Sequence, residues 1–194
     1  MKKFILTLTI GIILFSIDCF ANDGPFGFYM GMPYDEIKKI SHTTQGDVFR
    51  VDDAPKNHSD FEMYGVKATP EHGVCFVKAV GNTIETNRYG TQLTSKYEEI
   101  KTALTKIYGP VSDEINLLLP GSIWNEPEDF MTGLRKNERA LIAEWNKDLP
   151  HNITKIYLGA SALSREKGYL SIEYHFTNKP ECDRYINENK HSVF

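Results

Sequence analysis

Cys75 and Cys182 have the most definite chemistry in this sequence. If the chain works in an oxidising compartment, an even pair of thiols reads as a disulfide, here closing a loop of about 100 residues, an arrangement whose chain-entropy effect is about 4 to 5 kcal/mol. The alternatives are two buried free thiols or one reactive thiol. His72 lies near Cys75, and a thiol beside an imidazole is the make-up of an activated nucleophile. Cys75, however, sits in the apolar run Val74 to Val77 and has a partner available, so the bridge is the expected state.

Other spacings offer less. Glu173 and His175 share one strand parity and could exchange a proton, but that parity is the polar one and reads as solvated surface. Gly159-Ala160-Ser161-Ala162-Leu163 lacks the second glycine that a nucleophile elbow needs. The six histidines never fall two to four positions apart, as closely spaced zinc ligands would. Asp47, Asp52, Asp53 and Asp60 lack the spacing of a calcium loop. The sequence therefore names no catalytic residue, no metal ligand and no cofactor.

The oxidising compartment is inferred from the N-terminus. Lys2 and Lys3 precede an apolar run from Phe4 to Ile17, shorter than the roughly 20 residues of a membrane-spanning helix. Cys19-Phe20-Ala21 places small residues where a signal peptidase cuts after Ala21. Residues 1–21 are expected to be a removed signal peptide, and 22–194 one periplasmic or secreted domain. Asp18 occupies the position where lipid attachment to Cys19 would need a small residue, so Cys19 leaves with the signal. Removing the peptide makes the chain one charge more negative than its formal −4. An acidic chain without a Lys/Arg cluster excludes nucleic acid as the expected partner. No later apolar segment is long enough to span a membrane.

The elements that would position these residues follow from periodicity. Phe26, Phe28, Met30 and Met32 alternate with Gly27, Tyr29 and Gly31, which predicts a strand. If exposed, Phe26, Phe28, Tyr29, Met30 and Met32 would form a partner-binding edge; otherwise they fill the core. Pro33 to Ile40 opens a short helix, with acidic residues first and basic residues last. Ser41 to Asp60 reads as a loop rich in turn formers such as Gly46, with a short strand at Val48 to Val51. Strands are expected from Phe61 to Ala68 and from Gly73 to Glu85, the second apolar on both faces and hence central. A long helix runs from Thr94 to Tyr108, and a second from Glu126 to Lys147. Two strands follow, Ile153 to Ala162 and Tyr169 to Phe176, and a polar tail held by Cys182. The expected fold is α+β: an antiparallel sheet of about five strands carrying two long helices and one short one.

Tyr34-Asp35-Glu36-Ile37-Lys38 echoes Tyr97-Glu98-Glu99-Ile100-Lys101. Helix starts converge on such residues for dipole reasons, and a duplicated helix-plus-sheet unit is the alternative.

The segment Gly31-Met32-Pro33-Tyr34-Asp35-Glu36-Ile37 resembles the Gly-Met-x-x-x-Glu-Val/Ile opening of small exported bacterial domains. These are the outer-membrane assembly lipoproteins of the BamE/SmpA type and the β-lactamase-inhibitor-like proteins. The resemblance implies helices on an antiparallel sheet and action by binding other proteins. The chain departs from the lipoproteins in lacking a lipid-accepting cysteine, in length, and in its segment from Glu126 to Lys147. The functional expectation is a non-enzymatic module that contacts another envelope or extracellular protein: an inhibitor, immunity factor or assembly accessory. Two alternatives are a small envelope hydrolase with a site built from distant residues, and a carrier of a small apolar ligand.

Overall fold

The computed structural model describes residues 24–45 and 47–191. The expected signal segment with Cys19, and Gly46, lie outside them. Among the described residues the chain builds one antiparallel sheet of nine strands. In chain order these are β1 (Thr43–Gln45), β2 (Val48–Val51), β3 (Phe61–Thr69), β4 (Gly73–Gly81), β5 (Ile84–Glu85), β6 (Asp113–Leu118), β7 (Arg139–Trp145), β8 (Ile153–Ala162) and β9 (Lys167–Phe176). The helices are α1 (Tyr34–Ile40), α2 (Thr91–Tyr108), α3 (Phe130–Arg135) and α4 (Lys179–His191).

The class is α+β, but the expected five strands and two long helices are corrected to nine strands and four helices. The segment from Glu126 to Lys147 accounts for much of the difference. It is helical only to Arg135, then becomes β7. Asn137 adopts a left-handed φ of 56°, which ends the helical run. Beyond it the buried residues are Leu141, Ala143 and Trp145, a period of two. Leu141 and Trp145 lie four apart, a spacing that satisfies helix and strand alike, and Ala143 breaks the tie. Pairing with β6 and β8 overrides the helical propensity of the Ala, Leu and Glu residues here.

Other boundaries also move. The expected strand at Phe26 to Met32 is a single turn of 3-10 helix, Pro25–Gly27, followed by turns. Phe26, Gly27 and Gly31 all have positive φ, at 55°, 80° and 77°, which no extended strand accommodates. The short strand expected at Val48 to Val51 is present as β2, β1 precedes it within the expected 41–60 loop, and the polar tail is α4. The second strand of the middle hairpin is central, as its two apolar faces suggest: β4 pairs with β3 and β9.

Strand order is β1-β2-β3-β4-β9-β8-β7-β6, with β5 attached to β9. It reads alike from both edges. Each half opens with a helix and contributes four strands, α1 with β1 to β4 and α2 with β6 to β9, the second half having α3 inserted between β6 and β7. The fourth strands of the two halves pair at the centre. The two echoed segments occupy matching places, in α1 and α2, and Ile37 and Ile100 of those segments are both buried.

Burial assigns the faces. Val77 and Ala79 of β4, Ile172 and Tyr174 of β9, Ile156 and Leu158 of β8, and Ala143 of β7 are buried with Ile37, Tyr97, Leu104, Met131 and Leu134 of the helices. Helices α1, α2 and α3 therefore lie on one side of the sheet. Helix α4 crosses the end of β3 and β4, fixed there by the Cys75–Cys182 disulfide. Close backbone approach needs glycine at several places, Gly73 among them: a Cβ there, where φ is +61°, would lie 2.5 Å from the Gly31 carbonyl.

Candidate functional site

Alternation along a strand sends every second side chain to the opposite face. On β4 and β9 the residues pointing away from the helices are Phe76, Lys78 and Val80, and Ser171, Glu173 and His175, all half-buried. Tyr157 and Gly159 continue this face on β8, and Ile142 and Glu144 continue it on β7.

Its centre is a cross-strand array. Lys78 Nζ donates to Glu173 Oε1 at 2.9 Å, and His175 Nε2 stands 3.6 Å from Glu173 Oε2. The contact to Lys78 is a hydrogen-bonded ion pair, and the longer one is an electrostatic contact. The His175 imidazole and the Lys78 ammonium outweigh burial and hold the Glu173 carboxyl down at about 2. The rings of Phe76 and Tyr157 flank His175 edge-on, with centroids at 5.2 and 5.5 Å. Lys155 extends the array toward β7, with its Nζ 3.1 Å from Glu144 and 5.2 Å from the Tyr157 ring centroid.

This arrangement fixes charges and aromatic faces but supplies little for catalysis. A carboxylate ionised down to pH 2 has no proton to give near neutrality. The Nε2 atom of His175 has no hydrogen-bond partner among the described residues. Ser161 lies on β8 opposite Tyr169, in regular ladder geometry and not on a strained elbow. Among the described residues no three His, Cys, Asp or Glu side chains converge as a metal site. Beside Tyr157, Gly159 leaves open space: a Cβ built on it meets no heavy atom within 4 Å.

The five residues expected at a partner edge are not brought together at the surface. Phe28 and Met32 are buried, and Phe26 packs its ring on Phe61, Tyr64 and Tyr174 at 5.2, 5.0 and 6.1 Å. Tyr29 and Met30 are half-buried at the margin of the same cluster. Phe28 and Met32 thus fill the core, the other outcome the sequence allowed, and Phe26, Tyr29 and Met30 pack partly buried against it. The expected disulfide is present. Sequence reasoning passed over Phe76, Lys78 and Tyr157; their signal was their shared parity with Glu173 and His175 once β4 and β9 pair.

A second feature lies on the helix side. A groove of about 420 Å³ separates α2 from the loop before β3. Phe61, Ile100, Leu104 and Tyr174 line it, with His58 and Asp60 among its polar residues.

Among the described residues no helix is long and apolar enough to cross a membrane. No family model, no curated protein and no solved structure matches the chain.

Proposed function

We propose that the chain is an exported, non-enzymatic protein-binding module, of the inhibitor, immunity-factor or envelope-assembly kind, and that its partner docks on the helix-free face of the sheet. The observation that carries this reading is the array from Lys78 to Glu144. Cations, carboxylates and two aromatic rings are held there by one another, half-exposed, on a rigid scaffold. Aromatic residues anchor interfaces, and pre-ordered side chains lose little entropy on binding. The Cys75–Cys182 bridge agrees with an oxidising destination. The Gly31 to Ile37 resemblance points to the same class. The groove beside α2 supports a second reading, carriage of a small apolar ligand, since its volume falls in the range of ligand pockets.

The test is crosslinking capture with residues 22–194 from the envelope and medium of the source organism, read by mass spectrometry. Gly159→Arg and Tyr157→Asp serve as surface variants. One dominant protein, lost with both variants while each stays folded, supports the reading. Absence of any enriched protein overturns it in favour of the carrier.

A further inference from the structure

Among the described residues the sheet ends on one side at β6, which pairs only with β7. Leu119 N–H donates to Glu138 O across this pair. Backbone direction alternates along an antiparallel strand, so Leu117 and Ile115 also turn their polar groups toward β7, while Glu114, Asn116 and Leu118 turn theirs outward. The outward row is uncovered by any other strand. The opposite edge, β1, is only Thr43–Gln45.

Edges that stay solitary are usually blunted by charged side chains, lysine above all, by a proline, a bulge or brevity, and β6 carries charges only at its start, Asp113 and Glu114. Strand β6 runs Asp-Glu-Ile-Asn-Leu-Leu without a register shift. It also exposes apolar side chains: Ile115 is 38 %, Leu117 49 % and Leu119 48 % accessible, and Ile123 in the following loop is 74 % accessible. Ile115 pairs with Ile142, so this apolar strip is continuous with the open face of the sheet.

Charge decides what can lie there. Glu114 is matched by Lys101 at 2.7 Å, whereas Asp113 makes no ion pair among the described residues. Antiparallel pairing with a second copy through the outward residues would set Asp113 against Ile115, Leu117 or Leu119 of its mate. Parallel pairing would set Asp113 against Asp113. Both arrangements are mismatched, in a chain that already carries net negative charge. A strand with apolar residues over Ile115 and Leu117 and a basic residue over Asp113 has neither fault. We infer that β6 accepts an extended segment of a partner protein, adding a tenth strand whose apolar residues meet Ile115 and Leu117 and whose cation meets Asp113. The inference rests on the protein-binding reading and names a particular surface and partner chemistry for it.

The probe is a short capped peptide of alternating valine and threonine with a C-terminal lysine, which antiparallel addition brings to Asp113. Its control carries glutamate in place of lysine. Amide hydrogen exchange is followed on residues 22–194. The lysine peptide should slow Glu114, Asn116 and Leu118 by about tenfold or more. The glutamate peptide should do so less, and Leu117→Lys and Asn116→Pro should abolish the effect. The proline replaces an outward donor at a sheet edge, where it is tolerated, and Leu117 is exposed, so the variants check each other. No slowing with either peptide overturns the inference. So does slowing without peptide that tracks dimer formation in sedimentation, which would assign the edge to a second copy. The peptide needs no natural partner, so failure of the capture experiment leaves this result standing. Capture that survives Leu117→Lys but not Gly159→Arg removes the edge and keeps the protein-binding reading.

Discussion

Lys78 and Glu173 face each other at the middle of the five register pairs that join β4 to β9, and their side chains meet at 2.9 Å. The β4–β9 ladder that joins the two halves of the sheet thus has an ion pair at its centre, with His175 beside it. Glu173 titrates at about 2 in the folded protein, below its ordinary value of 4.5. A depressed carboxyl stabilises the fold above its unfolded pKa, and that contribution disappears as pH falls through the folded one. Glu173→Gln should cost about 1 to 2 kcal/mol at pH 7, allowing for partial solvent screening. The gap to wild type should close between pH 4.5 and 2. Urea denaturation at several pH values checks this; a gap independent of pH refutes it.

Cys75 lies in the first half and Cys182 after the last strand of the second, 107 positions apart. The bridge staples α4 to the sheet as well as one half to the other. Reduction, or Cys182→Ala, should lower stability by about 2 to 4 kcal/mol. Loss of helical circular dichroism should precede global unfolding, because α4 has few other attachments. Equal melting temperatures with and without reductant would count against this role.

Two glycines should respond in opposite ways. Gly73→Ala places a methyl 2.5 Å from the Gly31 backbone and forces a left-handed φ on alanine. It should destabilise by about 2 kcal/mol or more. Gly159→Ala meets nothing within 4 Å and should stay within about 0.5 kcal/mol of wild type. Thermal melts of the two variants, side by side, make the comparison.

Tyr97 is fully buried on α2, yet its hydroxyl has no hydrogen-bond partner among the described residues. Burial pushes its pKa up, with Glu114 and Glu98 adding to the effect. Tyr97→Phe removes an unpaired polar atom and keeps the ring. It should leave stability equal or raise it by up to about 1 kcal/mol. A raised pKa means that wild type loses stability as pH climbs past the ordinary tyrosine value of 10.0. The phenylalanine variant should lose less there, which alkaline denaturation would reveal.

The sequence made some of this legible. The strands from Ile153, Lys167 and Phe61 carry clear alternation because one face of each is buried. Helix α2 was legible from the spacing of Tyr97, Ile100 and Leu104, which are buried, although Ile107 on the same spacing is exposed and the helix begins at Thr91, early enough to bury Leu93. Strand β6 was invisible: an edge with neither face buried has no alternation to read. Residues 26 to 32 misled because alternating apolar residues and glycines fit both a strand and a chain of left-handed turns. Cys75 and Cys182 could be paired on chemistry alone. The array around His175 could not be seen, because Lys78 and Glu173 lie 95 positions apart and only the β4–β9 register brings them together.

That register also governs the order of assembly. Within each half most strands join their sequence neighbours, β1 to β2 to β3 to β4 and β6 to β7 to β8 to β9. Such hairpins form quickly because little chain entropy is lost in closing them. The seam between β4 and β9 must wait for a long loop to close, and until then each half leaves one of these strands as a bare edge. The rate-limiting event in folding should therefore be the docking of two preformed halves. Substitutions at the seam, Lys78 and Glu173 first among them, should slow refolding more than equally destabilising changes in the outer hairpins.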